Sequence, residues 1–163
     1  MFLYHGSTVE IKEIDLSLSK PNKDFGRGFY LSNNFEQAYE MATYKAGLFG
    51  AEPYVTKFEF DENLLENGSL KVLSFPGYSR EWADFVFKNR SQENQDCLHS
   101  YDIVTGPIAN DRVGAQIRRL VEGDISFDTF LERLKYMRGV TFQYFFGTEK
   151  AIQTLVNKGL CHE

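Results

Sequence analysis

No other stretch of this chain limits the backbone as tightly as Phe25-Gly26-Arg27-Gly28-Phe29-Tyr30-Leu31-Ser32. Two glycines flank a single cation, and an apolar run follows at once. Glycine is used where the backbone needs a positive φ or has to lie close against a neighbouring group. Phe29, Tyr30 and Leu31 suit an extended backbone, so the segment predicts a turn feeding a strand. Ser32, Asn33 and Asn34 then supply the residue types that open helices. A tyrosine at the start of that strand stands at the mouth of whatever the turn cradles. Upstream, Tyr4-His5-Gly6-Ser7 ends a first apolar strand in a similar way: Gly6 permits close approach and His5 offers a ring nitrogen. Each motif alone also fits a plain surface turn.

Such motifs need a folded frame, and 163 residues are enough for one domain over 1–163 with a core of its own. Aromatic residues make up 15% of the chain, with fifteen Phe and nine Tyr against one Trp, which points to a compact, sheet-containing fold. The net charge of −5 argues against a general electrostatic grip on nucleic acid. A local basic face built from Arg112, Arg118, Arg119, Arg133, Lys135 and Arg138 stays open, as does the plainer reading of solvated helix faces. Cys97 and Cys161 lie far apart with no C-x-x-C pairing, which argues against a disulfide framework or a zinc site. The N-terminal residues lack the pattern of a signal peptide, and no apolar run approaches the roughly 18 residues of a membrane span. A cytoplasmic protein with no membrane partner is the expectation.

Strand and helix patterns follow one another without a regular βαβ repeat, which favours α+β over a doubly wound sheet. Residues 2–7 predict a strand and 17–24 a loop. Asn33 or Asn34 caps a helix with Glu36 at its positive end. Its buried stripe is Phe35, Ala38, Ala42 and Ala46, joined by Tyr39 or Met41, and it ends near Gly47. Residues 52–60 alternate as a strand, and 70–75 predict a shorter one. Residues 80–90 predict a helix with Trp82, Phe85 and Val86 inward, followed by a solvated loop over 91–99. A buried strand is expected over 101–107, then helices over 113–122 and 126–137, the latter capped through Ser126 and Thr129. Residues 141–146 predict a last strand, and Thr148 caps a final helix over 149–157 that Gly159 stops.

Leu3-Tyr4-His5-Gly6-Ser7, followed by Asp24-Phe25-Gly26-Arg27-Gly28-Phe29-Tyr30-Leu31-Ser32 with Gln37-Ala38, resembles the NAD-binding half of the ADP-ribosyltransferases. The resemblance is to the branch with a His-Tyr-Glu triad, which includes diphtheria toxin and the poly-ADP-ribose polymerases. Glu81-Trp82-x-Asp84-Phe85-Val86-x-x-Asn89-Arg90, Tyr101-Asp102-Ile103-Val104-x-Gly106-Pro107-Ile108-Ala109-Asn110-Asp111 and Phe142-Gln143-Tyr144-x-Phe146-x-Thr148-Glu149-Lys150-Ala151 look like the bacterial family of domains of unknown function 3990. That family is generally placed in the same superfamily. Each motif is weak alone; together they run in the expected order along nearly the whole chain.

This likeness implies two packed, mainly antiparallel sheets with an NAD cleft between them and helices outside. His5 would bond the nicotinamide-side ribose, Gly6 would hold the carboxamide through its N–H and C=O, and Ser7 would add a hydroxyl contact. Tyr30 would stack on nicotinamide. Gly28 belongs to the same cofactor-binding turn, and Arg27 would meet the diphosphate or else be a surface arginine. A second stacking tyrosine, for which Tyr39 and Tyr44 are candidates, stays open. The third triad position holds Gln143 where glutamate is expected. An amide can position a ribose, but it carries no charge and is no base.

Either the acceptor's nucleophile supplies that charge, or Glu149 or Asp111 enters the site, or catalysis is lost. Glu149 equally suits a first helical turn, and Asp111, the reserve acid, equally suits turn chemistry. The implied activity is mono-ADP-ribosyl transfer from NAD as co-substrate, without a metal. The protein would then resemble a bacterial toxin component neutralised by an antitoxin protein. The alternatives are NAD glycohydrolysis, a non-catalytic NAD or ADP-ribose binding module, and an unrelated α+β domain. Nothing in these motifs fixes the acceptor, whether protein, nucleic acid or small molecule.

Overall fold

The computed structural model describes residues 1–91, 98–135 and 140–161, with the side chain of residue 135 left aside. Among them are seven strands and five α-helices, an α+β fold. The strands are β1 (Phe2–Ser7), β2 (Phe29–Ser32), β3 (Tyr54–Glu59), β4 (Val72–Ser74), β5 (Ile103–Pro107), β6 (Phe142–Phe146) and β7 (Val156–Leu160). The helices are α1 (Phe35–Phe49), α2 (Arg80–Arg90), α3 (Asp111–Val121), α4 (Phe127–Lys135) and α5 (Glu149–Ile152).

The expected pair of packed sheets is replaced by one seven-stranded mixed sheet in the order β4-β5-β6-β2-β1-β3-β7. Only β4 and β5 run parallel. The sheet is continuous but narrow at one seam: β1 meets β2 through the single register pair Tyr4–Ser32. By contrast β1 pairs with β3 along its whole length, from Phe2–Glu59 to Ser7–Tyr54. Two half-sheets therefore share one rung. Beyond it β1 and β2 are not paired.

Alternation along the strands sorts side chains onto two faces. One face carries Tyr30, Val104 and Phe145, packed with Phe25, Phe75 and the inner sides of α2, α3 and α4. Trp82 and Val86 are fully buried there, and Phe85 partly, as their spacing predicts. The other face carries Leu3, Leu31, Phe58, Ile103 and Phe146. Helix α1 lays Ala38 and Ala42 against Val55 and Tyr4.

Asn34 caps α1 by accepting from the Gln37 N–H at 3.1 Å, and Gly50 closes it at φ 63°. The helix thus runs past Gly47, which needs no special conformation. Tyr39 and Met41, expected in its buried stripe, are 46% and 45% exposed, because three small alanines already fill the contact. The end of the chain departs most from expectation. Thr148 does cap a helix, but α5 lasts one turn, and residues 156–160 form β7 on the free edge of β3. Gly159, read as a helix stop, lies in that strand at φ 82°, where the β3–β7 register slips. Edge pairing overrode a local helical preference. Most of the loop expected over 91–99, and the end of the helix expected over 126–137, lie outside the described residues, as does Cys97.

Candidate functional site

The Phe25–Tyr30 segment is held shut by its own tyrosine. Gly26 turns at φ 89°, and the Tyr30 hydroxyl reaches back to donate to the Gly26 carbonyl at 2.7 Å while accepting from the Phe25 N–H at 3.0 Å. Gly28 has a different reason to be glycine: a Cβ there would lie 2.2 Å from the Phe145 ring. His99 clamps the start of the segment. Its Nε2–H donates to the Phe25 carbonyl at 2.7 Å, and its Nδ1 accepts from the Tyr101 N–H at 3.3 Å.

His5 clamps the other end, at the seam. Where β1 parts from β2, its imidazole reaches the Tyr30 carbonyl at 2.7 Å through Nδ1 and stacks on Phe29 with ring centroids 4.4 Å apart. A carbonyl only accepts, so Nδ1 carries the proton and Nε2 is left with a lone pair. Nε2 has no hydrogen-bond partner among the described residues. Burial, helped by the charges of Lys45 and Lys23 and opposed by the bond to Tyr30, lowers the His5 pKa to about 4. His5 is therefore neutral at pH 7 and offers one acceptor nitrogen in a fixed orientation.

Because Tyr4 lies opposite Ser32, Gly6 and Tyr30 belong to the same face of the opening. Gly6 is packed so closely under α1 that a Cβ would come within 1.9 Å of the Ala38 carbonyl oxygen. Its own carbonyl accepts from Lys45 Nζ at 2.9 Å. Across from it, Lys23 Nζ stands 5.0 Å from the centroid of the Tyr30 ring. The surfaces that the resemblance assigns to a carboxamide and a planar ring are thus each covered by an ammonium group.

Gln143 sits opposite Ser32 on β6, on the same face as Tyr30. It is 8% exposed, and its Nε2 donates to Asp24 Oδ2 at 2.7 Å and to the Pro107 carbonyl at 3.4 Å. Two oxygens around one amide atom identify that atom as nitrogen. Oε1 accepts no hydrogen bond among the described residues. Asp24 in turn accepts from the Ala109 N–H at 2.9 Å and from Arg90 Nε at 2.7 Å, and Arg90 also donates to the Ala109 carbonyl. The Trp82 indole N–H shares the Pro107 carbonyl at 3.2 Å.

With this geometry in hand, residues 1–156 match the family described as "Protein of unknown function (DUF3990)". The chain belongs to that family. No curated protein matches it.

The remaining expected site residues of this DUF3990 chain are dispersed. Ser7 Oγ accepts from the Val9 N–H at 3.5 Å. Arg27 is exposed and forms no ion pair among the described residues. Asp111 opens α3, exposed, with Asn110 as its cap, and no hydrogen bond joins it to His5, Tyr30 or Gln143. It lines a separate 740 Å³ cavity between α2 and α3 with Arg90, Arg118 and Glu122. Glu149 is exposed in the first turn of α5.

Tyr39 stacks on Phe35, and Tyr44 is 66% exposed. Arg118 and Arg119 share the cavity wall with Glu122 and Asp124, and Arg133 donates to Gln116, so these arginines sit among acceptors instead of forming one basic face. Arg138 and the Lys135 side chain lie outside the described residues. Among those residues no group of His, Cys, Asp or Glu gathers to hold a metal, and no helix is long and apolar enough to cross a membrane. Sequence reasoning missed the roles of Asp24, Arg90, Lys23 and Lys45. Asp24 and Arg90 stood inside quoted motifs, but nothing in sequence joins residues 66 positions apart.

Proposed function

We propose that this protein binds NAD at the β1–β2 opening and transfers its ADP-ribose to an acceptor. One observation carries the reading: where β1 parts from β2, a neutral histidine, tautomer fixed by the Tyr30 carbonyl and ring stacked on Phe29, keeps an Nε2 lone pair with no hydrogen-bond partner among the described residues. An acceptor-only nitrogen suits a ribose hydroxyl, which can donate to it. The Tyr30 ring face that now meets an ammonium suits a cationic nicotinamide ring, by the same attraction of positive charge to π density. In the reaction the bond between the ribose C1′ and the nicotinamide nitrogen breaks, nicotinamide leaves with the electron pair, and the acceptor bonds C1′ and loses a proton. Gln143 Oε1 is left to accept from a ribose hydroxyl, since the Asp24 carboxylate fixes the other end of the amide.

A second reading is favoured by that same bond. An amide locked against Asp24 cannot carry the negative charge that stabilises a developing cation, so NAD would bind and persist. Nicotinamide release from NAD by the purified protein, with and without cell extract, separates the two, with His5→Ala and Tyr30→Ala as controls. Release that needs extract and vanishes in the controls is the expected outcome. Extract-independent release indicates a glycohydrolase. No release with NAD still raising thermal stability indicates a binding module, and no effect of NAD at all overturns both readings.

A further inference from the structure

We infer that Lys23 and Lys45 form an anion site that takes the diphosphate of the ligand entering the β1–β2 opening. This deepens the NAD reading and moves the phosphate contact away from Arg27, for which the resemblance offered either that role or a surface position. Three observations converge. Lys45 Nζ is anchored 2.9 Å from the Gly6 carbonyl and Lys23 Nζ lies 5.0 Å over Tyr30, so both ammonium groups border the same slot. Neither they nor Lys20 form a salt bridge among the described residues, in a chain whose net charge is −5. Asp24, the acid nearest to Lys23 along the chain, is already engaged by Arg90.

The three lysines also feel one another. Burial first, and then the charges of Lys23 and Lys20, bring the Lys45 pKa down to about 8, and Lys23 is lowered by burial and by Lys20, with only Asp24 opposing. Like charges held together with no salt-bridged partner of their own are costly unless something anionic visits. Two of them also stand on surfaces that a carboxamide and a planar ring would take over. A ligand that displaces the ammonium groups from Gly6 and Tyr30 frees them to meet its own phosphates. The lysines then serve as occupants of the slot before binding and as partners of the anion after it.

The test compares wild type with Lys23→Gln/Lys45→Gln, and with a Lys23→Arg/Lys45→Arg variant that keeps the charge. Binding of inorganic pyrophosphate, ADP-ribose, NAD and nicotinamide alone is measured by calorimetry at low and high salt. Losing charge-assisted contacts should weaken pyrophosphate and ADP-ribose about tenfold or more. The arginine variant should retain most of that binding, and nicotinamide alone should bind the glutamine variant no more weakly than wild type. Equal pyrophosphate and NAD affinity in wild type and the glutamine variant would overturn the lysine site and leave the NAD reading intact. Lysine-dependent pyrophosphate binding without any NAD binding would keep the site and remove the NAD reading. If the glutamine variant fails to fold, Lys23→Gln alone, at an exposed position, carries the same comparison with a smaller expected loss.

Discussion

Two polar assemblies flank the glycine turn, and they differ in whether their charges are answered. At Asp24 the carboxylate meets Arg90, the Ala109 N–H and the Gln143 amide. At the neighbouring β1–β2 seam, Lys45 Nζ meets only the Gly6 carbonyl and Lys23 Nζ the Tyr30 ring, and neither forms a salt bridge among the described residues. Buried charge is tolerated when it is paired and hydrogen-bonded, and the first assembly satisfies that rule. The second, with Lys45 half-buried and Lys23 exposed, holds cations without salt bridges, which is the pattern expected where a ligand completes the structure. The contrast separates residues that hold the fold from those that the proposal assigns to a ligand.

The sharpest way to break the comparison is to unpair the closed side. Asp24→Ala should cost about 3–5 kcal/mol, since it strands the Arg90 guanidinium and orphans the Gln143 amide; a chemical denaturation curve within 1 kcal/mol of wild type would refute this.

Restoring the expected glutamate is next. Gln143→Glu would set a second carboxylate against Asp24 Oδ2, now 2.7 Å from the amide nitrogen. The cost should be about 3 kcal/mol at pH 7, from repulsion and a lost donor. The new acid's folded pKa would be raised, so the deficit should grow as pH rises from the ordinary carboxylate range toward that raised value and shrink as pH falls back to it. Adding Asp24→Asn should recover part of the loss, and a pH-independent deficit would count against the account.

On the open side, His5 gives a pH signature of its own. Its folded pKa of about 4 lies below the unfolded value of 6.5, so the unfolded chain binds more protons between these limits. The contribution is complete above pH 6.5 and is lost as pH falls toward 4. About 3 kcal/mol is its ceiling, reduced in practice because the residue keeps some exposure. Subtracting the stability–pH curve of His5→Gln from that of wild type should isolate the step; a flat difference would remove it.

The smallest effect sharpens the contrast most. Lys23→Gln should leave stability unchanged or raise it by about 0.5 kcal/mol at low salt, since it relieves repulsion at an exposed site, and the gain should fade by about 1 M salt. A clear loss of stability would mean that Lys23 holds the fold, as Asp24 does.

Local chemistry was the legible part of both assemblies. Asn34 and Thr148 announced their helices, and Trp82 and Val86 announced an inward face, because caps and periodicity act within a few residues. His5, Tyr30 and the two glycines stand out as candidates for the same reason. The carboxylate behind Gln143 was not, since 119 residues separate it from Asp24 and a glutamine is silent about what its amide will meet. The lysines beside His5 sit in a loop and on a helix whose approach depends on how α1 crosses β1. The helix expected over 149–157 stops at Ile152 and β7 follows unforeseen, because the vacancy it fills, the edge of β3, is a property of the assembled sheet.

The single rung between β1 and β2 carries a mechanical consequence. A seam held by one pair of residues offers little resistance to shear, so the half-sheets can pivot about Tyr4 and Ser32 without unzipping either side. The brace across that pivot is α1, which rests on β1, β2 and β3 at once. A guest wedged beyond the rung pushes against this brace, and Gly6 leaves no slack beneath it. A displacement at the opening would therefore be passed to a fifteen-residue lever, whose outer side bears Tyr44, Leu48 and Phe49.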